Sequence, residues 1–283
     1  MFIHNIAIKD LLDTLKKFRS WVYLAYFDLK LKYRKTYLGP LWVVFGMAIS
    51  AGLLCLLWSV IFKLDWQNYL LYIFSGFIIW TWLMTIVVEG PEVFTSNSEL
   101  LKTFAIPPIF HVLRRSFLNL LLFLHHLPLI FVLIIVLGVE VNQRVVFTLP
   151  LGILIVFINA SLYSAIVGIL SARYRDIEPT IKALMAPMLL LTPVLWKPEM
   201  LGAYQDMIYY NPFTFFLGIV RNDIIGIDFD ILVWFGAFAI TILQLVIFVI
   251  LYSILLYNSF LFYCRTQSYC VALLYSTLLQ CLI

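Results

Sequence analysis

The chain has 283 residues, 64% of them hydrophobic and 12% charged, with a formal net charge of +4 at neutral pH. An ordinary soluble domain carries about a quarter charged residues, so this composition excludes a water-soluble fold and predicts a chain that crosses a membrane several times. Uncharged runs near or above ~18 residues suit helices spanning ~30 Å of hydrocarbon, and the alternating pattern of a membrane β-barrel is absent. The cysteines, Cys55, Cys264, Cys270 and Cys281, have neither zinc-ligand spacing nor the density of a disulfide framework. They read as unpaired thiols, and no metal site is expected. No cleavable signal peptide is expected, because a mostly polar or mixed stretch precedes the first apolar run.

Residues 1–38 hold eight of the nineteen Lys and Arg side chains. Phe18, Trp21, Val22, Ala25 and Leu29 recur there at helical spacing, with Lys16, Arg19, Lys30 and Arg34 on other faces. That pattern predicts an amphipathic helix lying in the membrane interface. Moving Lys30, Lys32, Arg34 and Lys35 to the bilayer centre would cost about 10 kcal/mol, at roughly 2.5 to 3.5 each, so the segment stays at the surface. A Gly39-Pro40 step leads into 22 uncharged residues, the first span at 41–62. The second is expected at 69–88, and the short link between them makes the pair antiparallel. Glu89, Pro91 and Glu92 end it. Residues 96–108 return the chain to water, with Ser96 or Ser98 capping a short helix that Pro107-Pro108 stops.

The third span is expected at 109–137, with Arg114 and Arg115 near its start and His125-His126 deeper. The fourth covers 145–170 and ends in a turn bearing Arg173, Arg175, Asp176 and Glu178. A fifth apolar run, 181–196, contains Pro187 and Pro193 and is short for a full crossing. The Pro-broken, aromatic-rich segment that follows predicts two short helices dipping into the membrane face, and a sixth span covers 231–257. The expectation is therefore an all-α membrane protein with six transmembrane helices, an N-terminal amphipathic interfacial helix, and short re-entrant outer-gate helices between spans five and six. It divides into an N-terminal segment (1–38), a six-span domain (39–258) and an atypical hydrophobic tail (259–283). With the N-terminus in the cytoplasm, that side receives fifteen Lys and Arg and the other side four. The split obeys the positive-inside rule and places both termini in the cytoplasm. The last 16 residues, 268–283, are uncharged and short for a seventh span, which suggests an altered reading frame at the end of the gene or a membrane-surface tail.

The expected span cores lack Asp, Glu, Lys and Arg, leaving His125 and His126 as the ionisable groups inside. Ion-coupled carriers keep such groups in the membrane, so energy has to come from outside this chain. No Gly-rich phosphate loop is present to supply it from within, and no internal repeat supports a symmetric carrier. The His pair, without a neighbouring acid or Cys, reads as two side chains satisfied within an apolar helix, with a substrate or catalytic role as the alternative. Aromatic residues reach 17%. Interface belts explain most of them, and stacking on sugar rings is the other reading for a minority.

Five stretches carry a family likeness: DLKLKYRKTYLGPLW (28–42), SNSELLKTFAIPP (96–108), SARYRDI (171–177), LLTPVLW (190–196) and YNPFTFFLGIVR (210–221). In this order and at these spacings, across about residues 20–258, the chain resembles the membrane subunits of type-2 ATP-binding-cassette (ABC) exporters of bacterial surface polysaccharides and polyol phosphates. That group includes O-antigen, capsule and teichoic acid exporters. The resemblance implies a permease that performs no covalent chemistry. It would form a homodimer in the bacterial inner membrane and bind two copies of a separate ATPase, which would hold the ATP and Mg. No cofactor is expected in this chain. The substrate would be a lipid-linked polysaccharide, with membrane lipids as further partners and no nucleic acid. By the same likeness, Tyr33, Arg34 and Lys35 lie at the substrate entrance, with plain lipid-phosphate anchoring as the alternative for the two cations. Glu99, Leu100, Lys102 and Phe104 fall on the helix that couples to the ATPase, or else on a solvated loop. Trp42, Trp196, Tyr204, Tyr210 and Phe213 fall on the channel and outer gate. The family usually stops soon after the position of Tyr257, so the tail is a departure. An intramembrane glycosyl- or acyltransferase and an ABC permease for a smaller drug or lipid are the alternative readings.

Overall fold

The computed structural model describes residues 11–94, 96, 107–139, 141–227 and 230–266. After a helical stretch at 11–16, the longer helices are α1 (Phe18–Lys32), α2 (Leu41–Phe62), α3 (Trp66–Glu89), α4 (Pro108–Leu124) and α5 (Leu127–Leu137). They continue as α6 (Val145–Arg173), α7 (Ile177–Leu191), α8 (Pro212–Arg221) and α9 (Ile231–Thr266), with a kinked 3₁₀ segment, Pro198–Tyr210, between α7 and α8. Among the described residues, five stretches are long and apolar enough to cross a membrane: Leu41–Phe62, Tyr69–Glu92, Pro108–Leu137, Val145–Arg173 and Ile231–Ile254.

The bundle is built around α3, which packs against α2, α4, α5, α6, α7 and α8. Its side chains are mostly large and buried, with Tyr69, Ile73, Ile78, Ile79 and Trp80 nearly inaccessible. A helix apolar all round is stable only when enclosed, and here its neighbours enclose it. The opposite case is α2. It turns one narrow line of Met47, Ala51, Cys55 and Ser59, spaced by four residues, toward the bundle. Small side chains in that line let the two backbones approach closely. Its other faces expose Ile49, Leu53, Leu57 and Val60. Such a surface suits hydrocarbon or a second protein face, not water.

The third span is not one helix. It breaks at His125-His126 between α4 and α5, because Pro128 in the first turn of α5 has no N–H for the carbonyl one turn back. The two imidazoles fold back on the turn before the break: Nδ1 of His125 lies 2.6 Å from the Leu121 carbonyl oxygen, and Nδ1 of His126 lies 2.9 Å from that of Leu122. This is the structural reading of the His pair. Pro107-Pro108 begins α4; the short helix expected before it falls on residues outside those described. Pro107 is extended, as a residue before proline must be, and Pro108 takes the first helical position, where no N–H is needed. The remaining boundaries move by a few residues. The helix of the fifth run starts earlier and ends earlier than expected, at Ile177–Leu191, and the last helix continues to Thr266. Residues 267–283 lie outside the described residues.

The expected stripe on α1 is largely correct: Trp21, Ala25 and Leu29 are buried. Phe18 is the exception, 52% exposed, with the Arg19 guanidinium 5.9 Å from its ring centre. The helix seats on α4, where Trp21 meets Phe117 edge-on at 5.6 Å. Asp28 accepts two hydrogen bonds from Arg114, each 2.6 Å long. At the other end of the bundle from the α3 start, α7 is tied to α3 by Lys182, whose Nζ lies 2.8 Å from Glu92 and 2.7 Å from Glu178.

Candidate gating site

Beyond α7 the chain makes a compact turn at 192–196, where Pro193 forbids further helix. Residues 192–195 are all buried, so their carbonyls need donors from elsewhere in the protein. α3 supplies them. The Tyr69 hydroxyl donates to the Leu195 carbonyl. The Tyr72 hydroxyl reaches the carbonyls of Pro193 and Trp196, at 3.1 and 2.8 Å. Arg221, the last residue of α8, closes the arrangement: its Nη1 donates to the Pro193 oxygen at 2.6 Å, and its guanidinium carbon lies 4.3 Å from the centre of the Tyr72 ring.

Arg221 is only 4% exposed, and its Nε–H has no acceptor in the protein. Burying a cation is costly unless its hydrogens are engaged, and here the carbonyl and the aromatic face take part of that role. The guanidinium borders a cavity of about 810 Å³ between the start of α3, the 3₁₀ segment, the end of α8 and the start of α9. Lys197 enters the same cavity, its Nζ 5.7 Å from the Tyr72 ring centre. Glu199, Asp206 and Asp230 provide carboxylates along the wall. Asp230 caps α9 through the Leu232 N–H at 2.9 Å and accepts from the Tyr209 hydroxyl at 3.1 Å. Burial, reinforced by the Asp230 carboxylate, pushes the Tyr209 phenol above its usual pKa.

α8 is wedged between α3, α6 and α9. Asn211 caps its first turn through the Phe213 N–H at 3.0 Å and donates to Thr192 at 2.8 Å. Phe213 meets Trp80 edge-on at 5.5 Å. Two glycines permit this fit. A Cβ on Gly152 of α6 would stand 2.6 Å from the Ile219 carbonyl oxygen, and one on Gly236 of α9 would stand 2.3 Å from the Phe215 ring.

The structure distributes the expected functional residues unevenly. Trp196 and Phe213 belong to the wedge; Trp196 donates its Nε1–H to the Leu190 carbonyl at 2.8 Å. Tyr204 and Tyr210 are 69% and 89% exposed, and Trp42 on α2 is 59% exposed. Trp42 stands apart from the cavity lining. On the α1 side, Arg34 and Lys35 are exposed in the turn after α1, where Lys35 adopts a left-handed conformation at φ 66°. Tyr33 differs from them: its hydroxyl is buried, its ring lies 6.4 Å from that of His125, and burial pushes its phenol upward. Glu99, Leu100, Lys102 and Phe104 lie outside the described residues. The roles of Tyr69, Tyr72 and Arg221 were not singled out from sequence. Their signal is the run of buried carbonyls around Pro193, which has to be matched by donors on other helices.

An apolar multi-pass bundle with charges gathered at its two ends defines a polytopic helical membrane protein. The model of the ABC-2 type transporter family matches residues 19–224, and the chain belongs to that family. Two O-antigen export system permease proteins RfbA of Klebsiella pneumoniae are 24% and 22% identical to it over 226 residues, each match covering 78% of this chain and 87% of the relative. A protein of the same name from Myxococcus xanthus is 28% identical over 184 residues, 63% of this chain and 67% of its own. Membership makes the chain a membrane transport subunit that works with an ATP-binding-cassette ATPase. It sets aside the intramembrane transferase reading.

Proposed function

We propose that this chain is the permease of an ATP-driven exporter that moves a lipid-linked surface polysaccharide, of the O-antigen or capsule type, across the bacterial inner membrane. The observation that carries this reading is the similarity to O-antigen export permeases across 78% of the chain. In the proposed complex two copies of the chain form a homodimer and seat two ATPase subunits, which hold ATP and Mg. One bundle offers little room for a polymer, whereas a two-fold seam between identical surfaces does. The exposed apolar face of α2 is suited to that seam.

The geometry supports a sixth crossing by α7. Its first turns are tied to Glu92 at the end of α3, and the turn that follows it is tied to Tyr69 and Tyr72 at the start of α3. The helix is about 22 Å long, and the turn at 192–196 carries the chain on to the start of α3. The segment 198–221 then acts as a re-entrant outer gate, with Phe213 against Trp80 inside the bundle and Arg221 back at Tyr72. The split of fifteen Lys and Arg to four expected from the sequence supports cytoplasmic termini. Closure of the ATPase pair around ATP would be relayed by residues 99–104 as a rigid-body movement.

The test is joint purification with an ABC ATPase followed by ATP hydrolysis measured with and without lipid-linked glycan. Glu99→Lys is expected to keep hydrolysis and stop export. Unchanged surface polymer in that variant removes Glu99 from the coupling role, and failure to bind any ABC ATPase overturns the assignment as a whole.

A further inference from the structure

A second cavity, a cleft of about 400 Å³, lies where α1 crosses α4 beside the end of α3. It is separate from the gate and from the exposed pair Arg34 and Lys35. Its walls bring three cations, Lys32, Arg114 and Arg115, together with two carboxylates, Asp28 and Glu89, so the cleft carries one net positive charge.

The pairing leaves donors over. Arg114 commits two N–H groups to Asp28. Arg115 approaches Glu89 with Nε 3.1 Å from Oε2, but that N–H has no well-aligned acceptor, and the same oxygen already accepts from Asn119 at 3.1 Å. A guanidinium has five N–H donors, so most of those on Arg115 remain unspent. Lys32 has no ion pair among the described residues. His111 is the decisive group: it is 4% exposed, lines the cleft, and neither ring nitrogen has a protein partner. Asn119, 3% exposed and eight residues further on the same helix, has an unpartnered carbonyl oxygen. Buried polar groups left unmatched are costly, and a cluster of them in a cationic cleft marks a place where a ligand completes the bonding.

The other wall of the cleft is apolar, formed by Leu31, Leu118 and Leu122. Leu31 is 47% exposed, so the apolar wall is open to the surroundings. Charged donors on one side and hydrocarbon on the other match an amphiphile with an anionic head.

We propose that this cleft binds the phosphate group of a membrane amphiphile, with Lys32, Arg115 and His111 as donors, Asn119 accepting from a hydroxyl of the headgroup, and Asp28 holding Arg114 in place. Whether the phosphate belongs to a bulk phospholipid or to a lipid-linked glycan is a separate matter that bears on the export reading.

Native mass spectrometry of the full-length chain with its ATPase in neutral detergent tests it, using short-chain phosphatidate, polyprenyl phosphate, phosphatidylcholine and inorganic phosphate as probes. Phosphatidate or polyprenyl phosphate is expected to bind once per chain, ahead of zwitterionic phosphatidylcholine. Lys32→Gln combined with His111→Leu should weaken binding about tenfold, as the loss of charge-assisted bonds implies. Lys32→Gln alone, at an exposed position, folds normally and should weaken it about threefold. Arg34→Gln with Lys35→Gln should change it little. Equal binding of both amphiphiles assigns the cleft to phospholipid headgroups, and a strong preference for polyprenyl phosphate assigns it to the carrier lipid; either supports the proposal. Binding unaffected by the Lys32 and His111 changes, or lost equally in the Arg34 and Lys35 variant, overturns it. Inorganic phosphate competing as strongly as the lipids overturns the amphiphile assignment.

Discussion

The contact between Arg221 and Tyr72 gives the sharpest prediction about how α8 is held, and a single substitution is the wrong way to test it. Arg221→Met removes a charge-assisted hydrogen bond worth about 1.5 to 3 kcal/mol. It also removes the cost of burying a cation, and replacing buried charge by an apolar side chain is often neutral or stabilising. The Pro193 carbonyl keeps a share of the single Tyr72 hydroxyl proton, 3.1 Å away, which the Trp196 carbonyl also accepts at 2.8 Å, so it is not fully orphaned. The net effect of Arg221→Met on stability is therefore small, about 1 kcal/mol in either direction. The interaction itself appears in a double-mutant cycle with Tyr72→Leu. A guanidinium 4.3 Å from the ring centre and excluded from water should show a coupling of about 1 to 2 kcal/mol. Equilibrium unfolding of the four proteins in mixed micelles measures it. Effects that add to within about 0.5 kcal/mol would refute the idea that α8 is latched to α3 through this pair.

Three further outcomes are expected. Gly152→Ala gains up to about 1 kcal/mol of helix propensity, yet its Cβ meets a backbone carbonyl 2.6 Å away that cannot swing aside. Overpacking of about 1 to 3 kcal/mol wins, so the variant unfolds more readily and hydrogen exchange in 212–221 rises. Tyr209 has a phenol pKa raised in the fold, so its contribution is complete below the unfolded value of about 10 and is lost as pH rises through the folded one. The wild type should lose about 1 kcal/mol more than Tyr209→Phe over that alkaline window, measured by unfolding at a series of pH values. Arg34→Ala with Lys35→Ala, both exposed, should leave the unfolding midpoint unchanged while reducing surface polymer; normal export from the double variant would reduce the pair to lipid anchoring.

The crossings themselves were legible because each has a long uncharged core, and the buried face of α1 falls largely where periodicity puts it. Arg114, Arg115 and Glu89 stood out only as charges near span ends. Their pairing joins residues as distant as Asp28 and Arg114, 86 positions apart, which no local pattern encodes. The break at His125-His126 was readable in principle from Pro128. A long apolar run conceals it, since hydropathy does not register a missing N–H. Nothing in the sequence sets Tyr69 and Tyr72 apart, and their hydroxyls gain a role only when the turn at Pro193 is placed against them. Phe18 fits the helical stripe by spacing yet stays exposed, because periodicity names a face without saying how far the partner surface extends.

The proposed transport of a lipid-linked polysaccharide by this chain, with energy from a separate ATPase, is open to direct measurement. The most direct measurement follows the polymer in cells of its own host lacking the chain, labelling glycan at the surface and, after permeabilisation, inside. Surface polymer should be lost, and lipid-linked polymer should accumulate inside. Both should be restored by the wild-type chain with its intact ATPase, and neither by the same chain when the phosphate-loop lysine of the ATPase is replaced. Surface polymer that persists without the chain, or is restored with the inactive ATPase, would contradict it.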